Sequence, residues 1–242
     1  MLKNIVLNLE DRMTFNNHPN LPSSFRLLLI GASGAGKSAL LLQCLIEPDF
    51  IDYNNLIIFT PTLAQQEYQL LKHGFENGLS KENIASILLN QEDYKGIPIP
   101  LLCKKFAELH KPTGGITISL TDKIGTSIPP DKLDKNKKNL IIFDDCITHA
   151  NQNILGSYFN KGRHNSCNCM YLTQSYFDLN RMIRLNSNFL VLFKLSQRNK
   201  NDIYSSVVGP IMDKKEFDSY VDNVWSKKYS YVCIDRDRER VF

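Results

Sequence analysis

A chain of 242 residues with 43% hydrophobic and 22% charged residues holds enough apolar material for one substantial core, which sets a single α/β-sized domain as the expectation and excludes long disorder and fibrous repeats. The net charge of +4 is too mild to announce a nucleic-acid binder, so any polyanion contact must be local. The longest apolar runs, Leu27–Ile30 and Phe189–Phe193, fall well short of the roughly 20 residues of a membrane-spanning helix. Asn4, Asn8 and Glu10 interrupt the stretch where a secretion signal would be continuously apolar, so an intracellular protein with no membrane partner is expected.

In chain order, residues 1–24 read as an N-terminal arm ending in "NNHPNLPSS", whose Pro, Asn and Ser mark a connection into the core at 25–209. "FRLLLI" (25–30) reads as a buried strand, followed by glycine-rich "GASGAGKS" and helical "ALLLQCLI". A second strand over 55–61 precedes helical "LAQQEYQLLKHGF", and this alternation predicts an α/β fold with a mainly parallel central sheet covered by helices. Two more helical segments are expected between Ser80 and His110. Residues 111–139 carry Gly, Pro, Thr and Lys without periodicity and read as a long exposed insertion. Then come the strand "NLIIFDD", helical "NQNILGSYFNKGRHN", the strand "CNCMYLTQ" ending at Gln174, and the strand "NFLVLFKL". Residues 210–242 supply the helix "KKEFDSYVDNVW" and the strand "KYSYVCI", expected to pack on the core, with "DRDRERVF" as a solvated tail.

The six cysteines lie in apolar segments without a disulfide-rich spacing, as small core residues of a reducing compartment do. His164, Cys167 and Cys169 lack the second ligand pair that a zinc site at finger spacing needs.

"GASGAGKS", Gly31–Ser38, matches G-x-x-x-x-G-K-[ST] with a strand before it and a helix after it. The candidate nucleotide-binding residues are Gly31, Ala32, Ser33, Gly34, Ala35, Gly36, Lys37, Ser38 and Ala39. The glycines let successive N–H groups face a phosphate chain. Lys37 brings a point charge to the β and γ phosphates, Ser38 offers a hydroxyl to Mg²⁺, and the helix N-terminus adds partial positive charge. In "NLIIFDDC" two carboxylates follow four large apolar residues, where one unpaired buried charge would cost on the order of several kcal/mol. If this strand shares a sheet with "FRLLLI", its C-terminal end meets the phosphate loop at the ligand edge of an open α/β sheet. The awaited cation is then Mg²⁺ on a nucleotide: Asp144 holds the metal through its water shell, and Asp145 orients or deprotonates the attacking water.

Gln174, at the end of the next strand, is placed to sense the γ-phosphate and position that water. Arg163 in "KGRHN" reads either as a finger reaching a neighbouring subunit's γ-phosphate or as a solvated basic turn with Lys161, with Arg181, Arg184 and Arg198 as competitors. "NKND" (199–202) fits the N-K-x-D guanine-reading pattern of GTPases at one motif only, since "DDCI" lacks the glycine those enzymes place after the metal aspartate.

Taken together, "FRLLLIGASGAGKS", "NLIIFDD", "KGRHN" and "MYLTQ", in this order over roughly residues 20–210, resemble the genome-packaging ATPases of poxviruses, other large DNA viruses and virophages. These belong to a broader group of DNA-pumping ATPases that includes bacterial chromosome translocases. The resemblance implies a three-layer P-loop NTPase of the RecA-like, additional-strand type, in which the Gln174 strand lies between the phosphate-loop strand and the aspartate strand. It implies that Lys37 and Ser38 bind phosphates and metal, Asp144 binds Mg²⁺, Asp145 is the catalytic carboxylate, Gln174 is the sensor and Arg163 acts in trans. Many chromosome translocases carry glutamate where this chain has Asp145; the virus-type members resemble it in having aspartate.

The implied function is ATP-driven translocation of viral double-stranded DNA into capsids, using ATP and Mg²⁺. The implied partners are duplex DNA bound without sequence readout, further copies of the chain in a homo-oligomeric ring and viral capsid components. The implied place is the host cytoplasm, a viral factory or the virion. Lys132, Lys135, Lys137 and Lys138 are candidate DNA-facing groups or simply a solvated lysine loop. A helicase-like motor or small-molecule kinase on the same loop, and a nucleotide-gated assembly factor without turnover, are the alternatives.

Overall fold

The strands are β1 (Arg26–Ile30), β2 (Asn55–Phe59), β3 (Thr117–Thr121), β4 (Asn139–Asp144), β5 (Cys167–Thr173), β6 (Phe189–Phe193), β7 (Tyr231–Asp235) and β8 (Arg240–Val241). They form one sheet in the order β3-β2-β4-β5-β1-β6-β7-β8 in a computed structural model that describes residues 13–123, 128–147 and 152–242. The pairings from β3 to β6 are all parallel, and β7 and β8 add antiparallel to that edge. Parallel strands need covering on both faces, and β4, β5 and β6 are buried at every position, as the apolar runs Leu140–Phe143 and Phe189–Phe193 predict.

The pleat divides the strand side chains between two cores. Leu27 and Leu29 of β1, with Leu140 and Ile142 of β4, face a layer of helices α1 (Lys37–Ile46), α2 (Gln66–Glu76), α3 (Lys81–Leu89) and α4 (Ile99–His110). Leu28 and Ile30, with Ile141 and Phe143, face α5 (Gln152–Lys161), α6 (Arg181–Asn186), α7 (Gln197–Ile203) and α8 (Lys214–Val224). The result is the expected three-layer α/β architecture with a mainly parallel central sheet. No helix among the described residues is long and apolar enough to cross a membrane.

Three local expectations change. The segment 111–139 is not wholly an exposed insertion: Thr117–Thr121 is the edge strand β3, in register with β2, and Pro130 and Leu133 are buried. This edge strand alternates Thr and Ser with Ile and Leu rather than running apolar, so composition read it as a loop. The tail is solvated only in part: Asp237, Arg238, Glu239 and Phe242 are exposed, but Asp235 is fully buried, Arg238 and Arg240 both pair with it at 3.4 Å, and residues 240–241 extend the sheet. The short helix α6 was not read from the sequence. Residues 1–12 of the expected arm and 124–127 of the expected insertion lie outside the described residues.

All six thiols are buried or half-buried. Cys167 and Cys169 sit 3.8 Å apart on the inner face of β5 against α5.

Candidate nucleotide-binding and catalytic site

The phosphate loop leaves the C-terminal end of β1 and enters α1 at Lys37. Gly36 caps that helix at φ 106°, a left-handed conformation that glycine adopts without strain. Gly31 is needed for closeness: a Cβ there would lie 2.7 Å from the Cβ of Phe193 on β6. No side chain caps α1 and no acidic residue occupies its first turn, so its backbone N–H groups keep their partial positive charge for an anion. The Lys37 ammonium folds back across the loop, donating to the carbonyl oxygens of Gly31 at 2.7 Å and Ala32 at 2.9 Å. Burial lowers its pKa, and the nearby charges of Asp144 and Asp145 oppose that shift. The ammonium and the acidic doublet therefore share one electrostatic environment, although about a hundred residues of chain separate them.

Strand β5 is the hinge of this convergence. Its end accepts a hydrogen bond on each side: Gly31 N–H donates to Thr173 O at 3.1 Å, and Asp145 N–H donates to Leu172 O at 3.1 Å. The Gln174 strand thus lies between the loop strand and the aspartate strand, the order the resemblance implied.

Asp144, the last residue of β4, is only 6% exposed. Its Oδ2 accepts a 2.6 Å hydrogen bond from the hydroxyl of Tyr68 on α2, and among the described residues no cation lies within ion-pair distance. Burial raises its pKa; the Tyr68 bond pulls down, Asp145 pushes up and Lys37 pulls down. Asp145 is exposed and takes φ 50°, a left-handed conformation uncommon for a residue with a side chain and a mark of strain at functional positions. That turn aims its carboxylate at Gln174, whose Nε2 donates to Oδ2 at 3.3 Å.

The donor set suits a hard cation. A buried carboxylate whose charge is penalised and the Ser38 hydroxyl, on the first turn of α1, are oxygen ligands of the kind Mg²⁺ takes. Among the described residues no cluster of three or more His, Cys, Asp or Glu could hold an ion alone.

Not every predicted residue joins this edge. Arg163 precedes β5 and lines a cleft with Arg26 and Asp237 where the strands begin. The seven residues of β5 separate that edge from the phosphate loop by roughly 20 Å at about 3.3 Å per residue. Arg163 is exposed there and does not reach its own chain's phosphate loop, which fits a solvated basic turn with Lys161 as well as a group facing a neighbouring copy. Lys132 and Lys135 are exposed in the approach to β4 at the same far edge, whereas Lys138 is half-buried and paired with Asp52. Lys200 of "NKND" is buried on α7 and bound to Asp222 at 2.9 Å and Asp218 at 3.3 Å, so it braces α7 against α8 and reads no base.

Tyr68 was missed by sequence reasoning. The helical pattern of α2 gave it a buried face, but nothing local shows that its hydroxyl meets a strand end 76 residues on.

No family model and no curated protein matches this sequence. Among solved structures, the genome packaging NTPase B204 from Sulfolobus turreted icosahedral virus 2 is similar in its complex with AMP, with a TM-score of 0.53 at 11% identity over 92% of this chain and 97% of that one. The same protein with ATP-gammaS gives 0.52 at 10% identity over 89% and 94%, and with AMPPCP 0.51 at 12% identity over 90% and 96%. The fold is that of a P-loop NTPase. At such identities the likeness carries the P-loop fold and nothing of substrate or partner. Within that fold the glycine turn, the strand-end carboxylates and the interposed β5 occupy the sheet edge where open α/β proteins bind ligands.

Proposed function

We propose that the chain is an ATPase motor that pumps double-stranded viral DNA into capsids, of the kind found in poxviruses, other large DNA viruses and virophages. The observation that carries this reading is the convergence at the end of β5, where the loop and the doublet dock on either side of Thr173 and Asp145 meets Gln174. The named structural relative is a genome packaging NTPase, which supports the same reading.

In this account the loop N–H groups from Gly31 to Ala39 and the Lys37 ammonium cradle the triphosphate. Ser38 and Asp144 hold Mg²⁺, which when bound neutralises charge developing on the phosphates. Asp145 accepts the proton of the attacking water, and Gln174 keeps that water and Asp145 aligned through hydrogen bonds. Tyr68 fixes the Asp144 carboxylate. Arg163, on the far edge of the sheet, supplies positive charge to the γ-phosphate of a neighbouring copy in a homo-oligomeric ring, so turnover depends on assembly. The exposed lysines before β4 contact duplex phosphates without reading sequence. Capsid components are partners, and the host cytoplasm or viral factory, then the virion, is the place of action.

The test is ATP hydrolysis measured with and without duplex DNA over a range of protein concentrations. The proposal expects turnover that rises with concentration and with DNA. Turnover indifferent to DNA at every concentration contradicts it.

A further inference from the structure

Beside the phosphate loop lies a cavity of about 340 Å³ that the chemistry above does not use. Gly34 and Ala35 of the loop form one wall, Phe193 and Lys194 at the end of β6 another, and the turn from Trp225 to Ser230, between α8 and β7, the third. The volume is within the range of small-ligand sites.

The turn is held firmly. Trp225 Nε1–H donates to Leu192 O at 3.1 Å, tying it to β6, and the Ser230 hydroxyl bonds Val224 O and Lys227 O. On this frame Tyr229 takes φ 63°, and the residue is 58% exposed. A left-handed backbone under a large exposed aromatic has two costs, and such features persist where function holds them. One edge of the exposed ring abuts the residue that opens α1: a Cβ at Gly36 would lie 3.4 Å from its Cδ1. The Lys228 ammonium sits 4.6 Å from the ring centroid, and Lys194 and Lys227 line the same cavity.

An exposed aromatic ring with one ammonium beside it, in a lysine-lined cavity that opens onto the glycine-rich loop, suits a ligand with an aromatic ring at one end and phosphates at the other. We infer that this cavity is the nucleobase subsite of the phosphate loop, with Tyr229 as the residue on which the base stacks. The inference rests on the proposed nucleotide binding and adds where the base lies. The guanine-reading pattern offers no rival, because Lys200 is consumed by its ion pairs.

Calorimetric titration of the full chain with Mg²⁺ and ADP, and separately with Mg²⁺ and inorganic tripolyphosphate, tests this. Tyr229→Asn removes the ring while suiting the left-handed backbone. It is expected to weaken ADP binding by about tenfold or more, the scale of one lost stack, and to leave tripolyphosphate affinity within about twofold. That unchanged affinity also reports a folded variant. Tyr229→Phe is expected to retain ADP affinity. Equal ADP binding by the wild type and Tyr229→Asn overturns the subsite alone. Equal weakening of ADP and tripolyphosphate also overturns it, by making Tyr229 a support of the loop. A wild type that binds neither probe overturns the nucleotide reading and the subsite together.

Discussion

Asp144 and Asp235 both end strands of one sheet and both are buried, yet the protein compensates only one of them. Asp235, at the end of β7, accepts backbone N–H groups from Asp237 at 3.2 Å and Arg238 at 3.1 Å, and pairs with Arg238 and Arg240. Asp144, at the end of β4, has one neutral hydroxyl and a lysine that is occupied with loop carbonyls. A buried carboxylate supplied with cations by its own chain is structure. One left without them beside a glycine-rich turn and a helix N-terminus is what the proposed Mg²⁺ site at Asp144 calls for.

The largest effect that tests this contrast falls on the exposed neighbour. Asp145→Asn keeps a group able to contact Gln174 but removes the proton acceptor, so turnover should fall by about 10²–10⁴-fold while ADP affinity stays unchanged; wild-type turnover would remove Asp145 from the chemistry. Asp235→Ala should leave nucleotide binding alone and destabilise the fold by about 2–3 kcal/mol. Thermal unfolding would read this as a Tm lower by roughly 5–10 °C.

Asp144→Asn should do the reverse. Because burial raises the folded-state pKa of Asp144, ionisation weakens the native state as pH rises through that value, and the penalty is absent below the ordinary carboxylate range. The variant should therefore melt a few degrees above the wild type near pH 8, with the gap closing as pH falls toward 4, and should lose Mg²⁺-dependent nucleotide binding. A variant that melts lower at pH 8 would mean that Asp144 is already compensated. The smallest effect is that of Tyr68→Phe, which removes the one hydrogen bond to the Asp144 carboxylate and should cost about 1–2 kcal/mol at pH 8, and less at pH 4, where that carboxylate is protonated. A loss independent of pH would make Tyr68 a packing residue only.

The contrast also shows what a sequence discloses. Buried parallel strands were legible because Leu27–Ile30, Leu140–Phe143 and Phe189–Phe193 are continuous apolar runs, and the loop was legible because its glycines and Lys37 lie at fixed spacing on one turn. Placing Asp145 and Gln174 at strand ends was legible too, but the hydrogen bond between them came only with the fold. Partners fixed only by tertiary packing were not legible. Tyr68 reaches Asp144 from another layer, β3 exists only because β2 offers it an edge, and the charges of "DRDRERVF" read as solvated until the fold brought Arg238 and Arg240 onto Asp235. Charge composition records how many ions there are but not which of them the fold pairs.

The central claim is that Ser38 of the phosphate loop and Asp144 of the aspartate strand would together hold the Mg²⁺ of a bound nucleotide. A double-mutant cycle of Ser38→Ala and Asp144→Asn, read as ADP affinity with Mg²⁺ and with chelator, measures that link. Each single variant should lose the Mg²⁺ enhancement, and the double variant should bind no more weakly than either single one. Losses that add, or a Mg²⁺ enhancement that survives in both single variants, would contradict the account.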